Sequence, residues 1–111
     1  MLLLGAPLAS ASTPVAPVCT GSKSIGDTVG ILLDPHTGAR EQTLVEARLA
    51  LLDGTRPIGT VYVDSFGMRY LEKSENDAIP GLSPAAGDQR IRPLPADFTF
   101  TGGLRLRACR A

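Results

Sequence analysis

Between residues 47 and 70 the apolar positions follow a period of two that is broken twice by tight turns. Leu49, Leu51 and Leu52 run up to Asp53-Gly54. Ile58, Thr60 and Tyr62 then alternate with Val61 and Val63, Asp64-Ser65-Phe66-Gly67 turns the chain again, and Met68 and Tyr70 open a third run. A two-residue period fits a pleated strand, and Asp-Gly pairs admit the left-handed backbone that short turns need, so this stretch predicts a three-stranded meander. Upstream, residues 24–33 predict a strand that ends at the turn Asp34-Pro35-His36-Thr37-Gly38.

Residues 43–52 fit two readings. Thr43-Leu44-Val45-Glu46 has the form of a helix capping box, and good helix formers follow as far as Gly54, which slightly favours a helix. As a strand, Val45, Ala47, Leu49 and Leu51 line one face, with Leu44, Glu46, Arg48 and Ala50 on the other. Downstream, residues 72–77 are polar and predict a loop, and Pro80-Gly81, Pro84 and Gly87 punctuate a long connection. Residues 89–95 predict an extended segment, because the residue before each proline is driven out of the helical region. Phe98-Thr99-Phe100-Thr101, Gly102-Gly103 and residues 104–108 predict a terminal hairpin, with Leu104, Leu106 and Ala108 inside and Arg105 and Arg107 outside.

Composition narrows the function classes. A chain of 111 residues is one domain, long enough to bury a single core. Eleven basic residues balance eleven acidic ones, so bulk charge draws it to neither nucleic acid nor an anionic membrane. Tryptophan is absent and aromatics make up 5%, which removes the stacking platforms that sugars and single-stranded bases use.

Residues 1–11 are apolar and end in Ala9-Ser10-Ala11, the pattern of a secretory signal cleaved after Ala11, although a basic first segment is lacking. The stretch is too short to span a membrane. Residues 12–22 are rich in Ser, Thr, Pro and Ala and predict a linker, which leaves a domain over 23–111. The expected location is secreted or at the cell surface. In such a compartment the even cysteine count favours one Cys19–Cys109 disulfide; two reduced structural cysteines in the cytosol are the other reading.

Several motifs resemble those of the prealbumin-like β-sandwich domains of surface proteins, the serine-aspartate-repeat B-type and collagen-adhesin B-type modules. Ile25-Gly26-Asp27 matches their opening, and Leu49-Ala50-Leu51-Leu52-Asp53-Gly54 the first hairpin arm. Residues 59–67 with Tyr70 match the second arm, and Gly81-Leu82-Ser83-Pro84 with residues 90–101 the closing strand and tail. The resemblance covers roughly residues 24–101. It implies an all-β, antiparallel β-sandwich, prealbumin- or immunoglobulin-like, of about seven short strands. It also makes 43–52 a strand, sets Leu49, Leu51, Val61 and Val63 between the two sheets, and places Tyr70 as a cap on the sandwich edge.

The chain departs from that family in two places. The loop that carries calcium in many members has only Asp34 and Glu41 as carboxylates here, too few for six to eight oxygen ligands. The Lys–Asn crosslink of some relatives would need Lys23 and Asn76, and Asn76 lies mid-chain in a polar loop, so a Cys19–Cys109 bridge would tie the terminal segments instead. His36 reads as an exposed turn residue rather than a catalytic base, and Asp27, Asp34 and Asp64 as turn aspartates. Arg90, Arg92, Arg105 and Arg107 would form an anion-binding face if residues 90–92 paired with 105–107; the plainer alternative is a solvated outer face.

These features predict an exported, non-enzymatic structural or adhesive module without cofactor or metal. Its expected partners are neighbouring surface-protein domains or an extracellular protein or glycan ligand, with no nucleic acid and no membrane span. The rival reading is a small secreted inhibitor or ligand-binding protein that makes contact through its 72–87 loop.

Overall fold

The computed structural model describes residues 16–34, 36–74, 77–83 and 90–110. Seven strands form two antiparallel sheets packed as a sandwich. β1 (Thr28–Asp34) and β2 (Ala39–Leu44) make a two-stranded sheet. β3 (Ala47–Asp53), β4 (Arg56–Val63), β5 (Arg69–Lys73), β6 (Ile91–Pro93) and β7 (Leu104–Ala108) make the second, in the order β6-β5-β4-β3-β7. The all-β sandwich that the sequence predicts is therefore present.

The meander is β3-β4-β5, with its turns where the Asp-Gly signals put them. Gly54 and Gly67 both have positive φ, 65° and 82°. At the second turn Asp64 acts as its own scaffold: Oδ1 accepts the N–H groups of Phe66 and Met68, each at 2.9 Å, and Oδ2 accepts the Tyr70 hydroxyl at 2.8 Å. Pro57 sits in a central strand despite its missing N–H because the β3–β4 register shifts beside it, between Leu51 and Leu52.

Residues 43–52 are extended, and they belong to both sheets. The chain leaves the β1–β2 hairpin after Leu44 and enters the large sheet at Ala47. Between them Val45 exchanges backbone bonds with the β1 entry (Gly26 N–H to Val45 O, Val45 N–H to Asp27 O, both 2.8 Å), while Glu46 N–H bonds Val63 O. With β1 on one side and β4 on the other to satisfy the backbone, the strand prevails over the local helix preference.

The face assignment needs correction. Cross-strand register puts Leu49, Leu51, Val61 and Leu71 on one face of the large sheet. That face does not meet the second sheet. It is covered by the long connection, through Ile79, Leu94, Leu82, Phe98 and Phe100. The inter-sheet core is Tyr62, Tyr70 and Ile91 against Val29, Ile31 and Val45. Tyr70 is therefore interior rather than an edge cap. The physical reason is polar: each tyrosine needs a partner for its hydroxyl, and Asp64 and Glu72 supply those partners on this side.

Two further expectations fail. Residues 98–101 are not a strand, so no terminal hairpin forms; β7 pairs with β3 instead, Leu106 opposite Leu51. The alternation along β7 holds as far as Arg107, with Leu104 and Leu106 partly buried and Arg105 and Arg107 exposed, but Ala108, expected inside, is exposed. The polar stretch from residue 72 begins inside β5, which takes in Glu72 and Lys73. The signal-like residues 1–11, linker residues 12–15, Asn76 and residues 84–87 of the 72–87 loop lie outside the described residues. No helix among the described residues is long and apolar enough to cross a membrane.

Candidate functional site

The most organised polar site lies where an irregular segment, residues 16–24, crosses the large sheet on the same side as the β1–β2 hairpin. Its composition predicts a free linker as far as residue 22; the structure seats it instead as a strap. Pro17, Cys19, Gly21 and Lys23 are partly buried, and Val18, Thr20, Ser22 and Ser24 are exposed, the alternation of an extended chain lying on a surface. The strap is held at one end by the disulfide Cys19–Cys109, with Cα atoms 5.4 Å apart, and by Arg110 N–H donating to Pro17 O at 2.8 Å. The expected pairing of the two cysteines is thus present.

Beneath the strap is a cluster built on three adjacent strands. Register places Arg48 opposite Tyr62, and Tyr62 opposite Tyr70, with Thr60 opposite Glu72, so Arg48, Thr60, Tyr62 and Glu72 share one face. Gly21 N–H donates to Thr60 Oγ1 at 2.7 Å, and Lys23 N–H to the Tyr62 hydroxyl at 3.3 Å. Ser22 N–H makes a long contact of 3.4 Å with Glu72 Oε1. Arg48 Nη2 donates to Gly21 O at 3.2 Å, and Tyr62 gives its own proton to Glu72 Oε1 at 2.5 Å. Three successive backbone N–H groups and one carbonyl of the strap are therefore met by side chains of the sheet.

Burial, and then the bond to Glu72, push the Tyr62 hydroxyl up to about 12 from 10.0. The native state thus keeps a proton that the unfolded chain loses first. Stability from this group is complete below about pH 10 and disappears as the pH rises through about 12. Urea titrations across this interval should show a fall in unfolding free energy that is smaller in Tyr62→Phe, where Tyr70, also raised by burial, still contributes; equal slopes in the two proteins would refute the assignment.

The arginine face is not assembled. β6 and β7 are opposite edges of the large sheet, four strand spacings or about 19 Å apart. Register further puts Arg92 on the connection side and Arg107 on the strap side, since Arg92 pairs with Leu71 and Arg107 with Ala50. Arg92 donates to Ser83 O, pinning the connection, while Arg90, Arg105 and Arg107 are exposed. The pairing on which that reading depended does not occur: residues 91–93 pair with β5 and residues 104–108 with β3.

His36 is exposed in the turn after β1, its N–H donated to Asp34 Oδ1 at 2.9 Å. Asp27 accepts from Ser24 N–H in the same local manner. At Asp64 burial pushes the carboxyl up, but the bonds from Tyr70, Met68, Phe66 and Gly67 outweigh it and hold the group below the usual range. These carboxylates cap their own turns, and no group of three or more His, Cys, Asp and Glu side chains that could hold a metal occurs among the described residues.

Sequence reading missed the Arg48–Thr60–Tyr62–Glu72 cluster. The available signal was that Arg48, Thr60 and Tyr62 lie on strands already predicted to be neighbours; Glu72 fell in a predicted loop, and nothing local links the cluster to Gly21, 39 residues from Thr60. No protein-family model, curated protein or solved structure matches the chain.

Proposed function

We propose that the protein is an exported, non-enzymatic structural module of the prealbumin-like kind, a passive β-sandwich unit in a cell-surface or secreted assembly. The observation that carries this reading is the Cys19–Cys109 bond, which joins a segment before β1 to the residue after β7 across 90 positions. Tension applied outside the two cysteines passes through that covalent bond and bypasses both sheets. Such a clasp suits a unit that must keep its shape within a larger assembly, and disulfides of this kind persist in oxidising compartments. The family part of the proposal rests on the sequence resemblance of Ile25-Gly26-Asp27 and of residues 47–70.

The test is fractionation of source cells with alkylation of free thiols before lysis. Recovery from the surface or medium, with both cysteines alkylated only after reduction, is the expected result. Recovery from the cytosol with both thiols already alkylated would overturn the proposal.

A further inference from the structure

We propose that the face bearing Arg48, Thr60, Tyr62 and Glu72 is a binding groove for an extended, glycine-centred peptide, and that the 16–24 segment of a second copy of this chain is its ligand in trans. This goes beyond the structural role, and its covalent part shares with that role the need for an oxidising compartment.

The groove reads backbone rather than side chains. Thr60, Glu72 and Tyr62 receive the N–H groups of residues 21, 22 and 23, and Arg48 holds the carbonyl of Gly21. The strap's outward side chains contribute little: Thr20 Oγ1 makes a long contact of 3.5 Å with Thr60 Oγ1, and Val18 is 55% exposed. The one residue selected is glycine, since a Cβ at position 21 would lie 1.9 Å from the Tyr62 hydroxyl and 2.9 Å from Thr60 Cβ. Capacity also remains in the groove, because the buried Arg48 Nε has no hydrogen-bond partner.

The strap is separable from the fold. From Gly26 onward the chain is fixed to Val45, through Gly26 N–H and Asp27 O, whereas Ser24 bonds Asp27 at the bend, its N–H donating to Oδ2 and its carbonyl accepting the Asp27 N–H. Residues up to 24 swing away without disturbing β1. What favours cis occupancy is tethering, which sets a local concentration in the millimolar range, together with the bond to Cys109. The occupant in trans is specified by the same bond. A peptide that places glycine over Thr60 reaches Cys109 only if it carries a thiol two residues earlier, and the segment Cys19-Thr20-Gly21 of another copy does so.

Oxidative refolding tests this directly. Equal amounts of 15N-labelled and unlabelled full-length reduced chain are refolded with glutathione disulfide over about a hundred-fold range of protein concentration. The disulfide takes up two electrons and leaves as two glutathione molecules while one protein disulfide forms. Mixed-label Cys19–Cys109 links that rise with concentration, and are lost in Gly21→Leu, are expected. Links within one label only at every concentration, or Cys19–Cys19 and Cys109–Cys109 pairs in random proportion, would overturn the proposal.

Because Gly21→Leu alters folding as well as seating, a second measurement uses the full chain with Gly21→Leu, Cys19→Ser and Cys109→Ser, which leaves the groove empty. The synthetic 16–24 peptide with serine at position 19 should bind it saturably and shift the Thr60 and Tyr62 resonances. The same peptide with leucine at position 21 should bind at least ten-fold more weakly; equal binding of the two peptides, or of neither, refutes the groove.

Discussion

Replacing Cys19 and Cys109 together with serine will lower the unfolding free energy by about 4–5 kcal/mol, the cost expected for opening a loop of this length in the chain-entropy model. The loop spans 90 positions, nearly the whole fold, so the oxidised unfolded chain is confined almost as strongly as one cross-link allows. For a domain of this size the loss corresponds to a melting point lower by roughly 20–30 °C. The urea m-value should rise at the same time, because the unlinked chain exposes more surface when it unfolds. A second effect is local. Without the bond the strap is held by a few side-chain-to-backbone contacts, so the amides of Gly21, Ser22 and Lys23 should exchange with solvent well before those of β3 and β4. Urea denaturation with and without reductant measures the first effect and hydrogen exchange the second. A midpoint unchanged within error would mean that the bond carries no stability.

The parts of the fold legible in the sequence are those whose determinants are local. The meander could be read because its period-two runs stop at Asp53-Gly54 and Asp64–Gly67, where side-chain and backbone chemistry fixes the turns. The disulfide could be read because only two cysteines exist to pair. What could not be read depends on partners distant in sequence. Tyr62 and Tyr70 look like ordinary strand aromatics, and which face turns towards the second sheet is decided by Asp64, Glu72 and the strap. The pairing of β7 with β3 rather than with residues 98–101 has the same origin: β3 offers five residues of ladder, whereas Phe98 and Phe100 are drawn to the apolar face they help to cover. The candidate site was missed for a related reason. A Ser/Thr/Pro-rich stretch has the composition of a linker, and only the cluster beneath it makes an extended strap of it.

Gly21→Ala is the sharpest probe of that strap, with an expected loss of roughly 2–4 kcal/mol, an overpacking cost of about 1–3 kcal/mol plus about 1 kcal/mol for weakened hydrogen bonds. The backbone conformation at residue 21 is not the obstacle; space is. An added Cβ would meet the Tyr62 hydroxyl at 1.9 Å, Glu72 Oε1 at 2.8 Å and Thr60 Cβ at 2.9 Å. Tyr62 and Thr60 are fully buried in a central strand and cannot retreat, so the strap must lift. The disulfide opposes that movement by holding Cys19 beside Cys109. The penalty should therefore be larger in the oxidised protein than in the Cys19→Ser/Cys109→Ser background, where the strap leaves and the alanine meets nothing. Tyr62→Phe should relieve part of it, because the atom closest to the new methyl group is the one removed. A double-mutant cycle between positions 21 and 62 then gives a coupling of about 1 kcal/mol or more, with the double variant more stable than the two single losses would sum to. Strict additivity, or equal penalties with and without the disulfide, would show that Gly21 is not seated on Tyr62.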